Sequence, residues 1–71
     1  MDTRIRIKPA AARVNAGKTQ KEVAAHLHVT INTIVAWENF KSEPTISQAR
    51  SMADFYNIPI DCIIFMQPKS N

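Results

Sequence analysis

The sequence predicts an all-α fold, a compact bundle of four to five short helices. Three observations predict it. Hydroxyl residues stand where helices should begin, at Thr19, Thr30 and Thr45, and two of them are followed three positions later by Glu22 and Gln48. That pairing lets each side chain satisfy a backbone N–H at a helix start. Apolar residues recur at spacings of three and four, as in Ile46, Ala49, Met52, Ala53 and Tyr56, the period of a helix with one face turned to a core. The breaks between these stretches are short, so successive helices should pack on one another.

The elements follow in order. "RIRIK", residues 4–8, alternates charged and apolar side chains, which predicts a strand-like or extended arm. Pro9 suits the first position of a helix, where its missing N–H costs nothing. "PAAARVNA" continues that helix to Gly17, a good stop. A second helix, 19–27, carries Val23, Ala24 and Leu27 on one stripe, and His28 falls where the chain must turn. A third, 30–39, is capped by Thr30 and turns Ile34 and Trp37 inward. After the polar loop "NFKSEPT", a fourth helix starts at Thr45, with Ile46, Ala49, Met52, Ala53 and Tyr56 inward and Asn57 as its stop. "IPIDCIIF" predicts a short last helix from near Pro59. The implied organisation is an arm over 1–8, a helical domain over 9–65 and a tail over 66–71.

Composition narrows the function classes. A chain of 71 residues is one small domain or part of one; at that size folding buries roughly 60% of the chain's surface, so dimerisation or a partner would add useful stability. Net charge is +3, compatible with nucleic acid and equally with a solvated surface. The lone Cys62 can form no internal disulfide, which suits a reducing cytosol, and its apolar neighbours predict a small buried hydrophobe. No signal-peptide core or bilayer-length apolar run is present, so a soluble, cytoplasmic protein is expected. Catalysis is not expected, for want of a Gly-rich phosphate loop or a polar carboxylate pair. His26 and His28 are two apart and share no helix face, so neither a metal site nor a cofactor is expected.

The two central helices are joined by about three residues, 27 to 29, the spacing of a helix-turn-helix. At this point the residues become specific. "TQKEVAAHLHVTINTIVAWEN", then Pro44, then "ISQARSMADFYNIPIDCIIF" resembles the Cro/phage-repressor helix-turn-helix family through Thr19, Gln20, Ala24, Val29, Thr30, Ile34, Glu38, Asn39, Pro44 and Asp61. The likeness runs from about residue 9 to 65. "AARVNAG" and "DCIIF" resemble small lysis–lysogeny switch proteins of temperate phages of Gram-positive bacteria, including antirepressors known as modulators of repression. His28 and Phe40 stand where the family has glycine.

The resemblance implies a lambda-repressor-like DNA-binding domain whose third helix enters the major groove of operator DNA. It assigns base reading to Ile31, Asn32, Val35 and Ala36. It assigns phosphate contacts to Gln20, Thr30, Thr33, Asn39, Lys41 and Ser42, with Lys18 and Lys21 adding charge. Arg13 and Glu38 match a buried structural ion pair of the family. The reading helix is nevertheless apolar. Ile31, Ile34, Val35, Ala36 and Trp37 cannot all face one core, and taking Ile34 and Trp37 inward leaves Ile31, Asn32, Val35, Ala36 and Phe40 outward. That composition also suits a protein interface. Two readings follow: a transcriptional regulator that binds operator DNA, and an antirepressor that grips the cognate phage repressor with the same face. A homodimer through the C-terminal segment is left open.

Overall fold

In the computed structural model the described residues are 6–65. Most of the arm expected over 1–8, and the tail over 66–71, lie outside them. Four α-helices follow in order, α1 (Pro9–Asn15), α2 (Gln20–Leu27), α3 (Ile31–Glu38) and α4 (Ile46–Tyr56), and then a single 3-10 turn, Ile60–Cys62.

The helix starts are built by local chemistry. Thr19 and Thr45 each sit in a capping box: the Glu22 and Gln48 amides donate to the threonine hydroxyls at 3.0 and 3.1 Å, and the side chains of Glu22 and Gln48 accept from the Thr19 and Thr45 amides at 2.8 Å. At α3 the Thr33 amide donates to the Thr30 hydroxyl at 3.2 Å. Pro9 opens α1 with no side-chain cap.

All four helices end by one device. After each last turn a residue adopts the left-handed conformation: Gly17, His28, Phe40 and Asn57, at φ of 74°, 59°, 59° and 59°. The next amide then reaches back over the end, as in Lys18→Arg13, Val29→Ala24, Lys41→Ala36 and Ile58→Ala53, at 2.9–3.1 Å. This is the Schellman arrangement, which satisfies carbonyls the helix itself leaves bare. Glycine adopts that backbone freely, whereas a side chain is strained there by about 1–2 kcal/mol. His28 and Phe40 therefore carry strain that Gly17 avoids.

The core is Ala12 from α1, Val23 and Ala24 from α2, Ile34 and Trp37 from α3, Met52, Ala53 and Tyr56 from α4, and Ile63. Leu27 and Val29 pack against it, half-buried. Packing is most extensive between α2 and α3. No helix among the described residues is long and apolar enough to cross a membrane.

Three sequence expectations need correction. Ile46 is 72% exposed, not inward. It belongs by spacing to the apolar stripe of α4, but Thr45, Ile46 and Ser47 are all exposed, so this first turn projects past the neighbours that cover Ala49 and Met52. The expected last helix exists only as the 3-10 turn: Ile63 is extended, at φ −109° and ψ 131°. It instead forms a parallel bridge with Ile7, made by Ile7 N–H to the Cys62 carbonyl at 2.8 Å and Ile64 N–H to the Ile7 carbonyl at 2.9 Å. β-Branched Ile63 and Ile64 suit an extended backbone better than a helix with no room to propagate. Cys62, expected to be buried, is a half-buried free thiol.

Candidate nucleic-acid interface

Three residues, His28 to Thr30, separate α2 from α3. The left-handed turn at His28 redirects the chain, and Thr30 starts α3 with its hydroxyl bonded to the Thr33 amide and 3.0 Å from the Thr33 hydroxyl. The two helices are thus locked together, α3 burying Ile34 and Trp37 and presenting its other side outward.

A charged tie fixes the far end of α3. Arg13 Nε lies 2.6 Å from Glu38 Oε2, and Arg13 Nη2 donates to Glu38 Oε1 at 3.3 Å. Arg13 Nη1 donates to the Lys18 carbonyl at 2.9 Å. The Gln20 amide donates to Glu38 Oε1 at 3.0 Å. One carboxylate therefore joins α1, α2 and α3, with the Arg13 and Glu38 side chains only 15% and 6% exposed. Tyr56 lies beside this tie. Burial pushes its phenol up to about 12, the Glu38 charge adds to the shift, and the Arg13 charge opposes it. Its hydroxyl is buried and has no hydrogen-bond partner among the described residues.

The outward side of α3 is less greasy than the sequence suggests. Ile31 is 44% exposed and Asn32 is exposed, but Val35, Ala36 and Phe40 are half-buried. Val35 is thus not the solvated position its spacing implies.

The residues assigned to phosphate divide into two groups. Lys21, Lys41 and Ser42 are exposed. Others are already engaged within the fold. Gln20 turns its amide to Glu38, Thr33 faces Thr30, and the Asn39 amide folds back on the Val35 carbonyl at 3.0 Å. Lys18 lies with its ammonium 4.5 Å from the centroid of the Phe55 ring on α4, rather than free beside Lys21. Phe55 is also stacked on His26, centroids 4.0 Å apart and planes 8° from parallel. No spacing in the sequence signals this cluster, because its members are brought together only when α4 closes over α2. Glu22, beside Lys21, has its carboxyl lowered, chiefly by the Thr19 amide, as expected for a carboxylate accepting a bond at a helix start.

The fold and this surface define a small helix-turn-helix domain. A family model for the helix-turn-helix matches residues 10–61, and the chain belongs to that family, of the Cro/repressor type. Its members are DNA-binding regulatory domains, and this chain is a DNA-binding transcriptional regulator of that type. A comparison with curated proteins found no match.

Proposed function

We propose that this regulator acts in the lysis–lysogeny switch of a temperate phage, in the cytoplasm of the host cell, by binding operator DNA through α3. One observation carries the reading most directly. Ile31 and Asn32 are exposed side by side at the start of a helix anchored by Thr30 and by the Glu38 tie, and Lys21 on α2 and Lys41 just after α3 are exposed as well. A rigid helix with a free amide at its N-terminal end is what major-groove reading requires. Lys21, Lys41 and Ser42 are the proposed phosphate contacts, with Thr30 and Asn39 at the two ends of α3.

A second reading is favoured by one feature. The sequence "INTIVAWE" of α3 carries no lysine or arginine, although phosphate contacts dominate most DNA affinity. An antirepressor holding the cognate repressor through Ile31 and Val35 would need none.

The experiment is an electrophoretic shift with DNA from the control region beside the protein's own gene, with and without the co-encoded repressor. Operator reading predicts a shift by this chain alone, at moderate salt and well below the concentration that shifts random DNA. Lys41→Ala should weaken all DNA equally and reduce the salt slope by about one. Equal affinity for operator and random DNA counts against operator reading. Retention of the repressor without any DNA shift supports the antirepressor.

A further inference from the structure

We infer that α3 reads A·T base pairs, using the Asn32 amide on adenine and aliphatic side chains on thymine methyl groups, so that the half-site it faces is A·T-rich. The inference rests on DNA binding through α3 and adds which bases are read.

It follows from what the exposed side of α3 can offer. Guanine is read mainly by arginine or lysine on N7 and O6; "INTIVAWE" has neither. Cytosine is read by a carboxylate accepting from N4. The one carboxylate of α3, Glu38, is 6% exposed and taken by Arg13 and Gln20. The Thr33 hydroxyl faces Thr30, and the Asn39 amide is turned onto the Val35 carbonyl. Asn32 is left, with its side chain exposed at the start of the helix. Its amide matches the donor–acceptor pair of adenine N6 and N7.

The surroundings of Asn32 then decide the partner base. Ile31 and Val35 are four apart and form one ridge, and Asn32 and Ala36 form the next. The single amide is therefore bordered by aliphatic side chains. Adenine's paired thymine carries a C5-methyl into the same groove, as do thymines at adjoining steps. A methyl against Ile31, 44% exposed before binding, is removed from water, while a cytosine there offers the same surface only an amino group to desolvate.

The test starts from a randomised duplex library selected with the full chain. An enriched site should be A·T-rich in each half. In that duplex, thymines are replaced singly by deoxyuridine, which deletes only the methyl and keeps every pairing group. The sensitive positions should each lose about three- to fivefold in affinity by fluorescence anisotropy, the worth of one buried methyl-sized group. Ile31→Ala should abolish that sensitivity at one position while leaving the salt slope unchanged. Asn32→Ala should lose about five- to a hundredfold discrimination at one adenine. Both residues are exposed, and circular dichroism checks that the helices persist. A site enriched in G·C pairs, or one indifferent to deoxyuridine throughout, overturns this inference alone. A library with no enriched duplex overturns it together with the DNA-binding reading.

Discussion

Arg13 and Glu38 meet at 2.6 Å although they stand 25 positions apart, and Glu38 also receives the Gln20 amide. Three helices therefore depend on one carboxylate. Glu38→Ala strands the Arg13 charge and should cost about 3–5 kcal/mol, as expected for one broken member of a buried pair. Replacing both at once, Arg13→Met with Glu38→Leu, should recover much of that loss. Urea unfolding followed by the fluorescence of Trp37, the single tryptophan, reads both variants. A loss below about half a kcal/mol for Glu38→Ala would place the pair with ordinary surface ion pairs.

Thr30 is the hydroxyl on which the start of α3 hangs. Thr30→Ala should destabilise the domain by about 0.5–2 kcal/mol. Thr30→Ser keeps the oxygen and should keep most of the stability. The comparison of the two in the same urea titration isolates the cap, and equal losses would assign the effect to the methyl instead.

His28 occupies a left-handed position at φ 59° with its side chain exposed. His28→Gly should raise stability, by about 1 kcal/mol at most, because strain is relieved while no buried contact is lost. Phe40→Gly should gain less, since Phe40 is half-buried. A thermal melt in which His28→Gly lowers the midpoint would show that the histidine makes compensating contacts.

The degree to which these features can be read from the chain follows their range. Thr19, Thr30 and Thr45 announce helix starts because a cap is made with residues three positions away. Gly17 and Asn57 announce ends by residue type, whereas His28 and Phe40 adopt the same conformation against their preference, and the family resemblance, which has glycine at both positions, is what marks them. Ile46 misleads because periodicity records direction on a helix and not where the neighbouring helices stop. The Ile7–Ile63 bridge joins segments too distant for any local pattern. At the site, the spacing of Ile31, Asn32, Val35 and Ala36 is legible, but their assignment to base reading comes from family resemblance. That Gln20, Thr33 and Asn39 are already bonded within the fold is decided by neighbours the sequence does not name.

Tyr56 is the only tyrosine, so an ultraviolet titration of phenolate reports it alone. Its midpoint should lie at about 12 instead of 10.0. Because the native state holds this proton more tightly than the unfolded chain, the stability linked to it is complete below the unfolded value of 10.0 and is lost as pH climbs towards about 12. Tyr56→Phe should remove that alkaline loss and, by deleting a buried hydroxyl without a partner among the described residues, leave stability at neutral pH unchanged or improved. A midpoint near 10 in the native protein would place the phenol in water.

The parallel bridge between Ile7 and Ile63 has a mechanical meaning. Because the two segments run in the same direction, tension applied through the chain at residues 6 and 65 pulls them past one another, along the strand axis. The bonds from Ile7 N–H and Ile64 N–H then share the load, in shear. An antiparallel clasp held at adjacent ends would unzip one bond at a time. The two ends of the helical bundle are thereby joined by a small latch that resists stretching of the chain between residues 6 and 65.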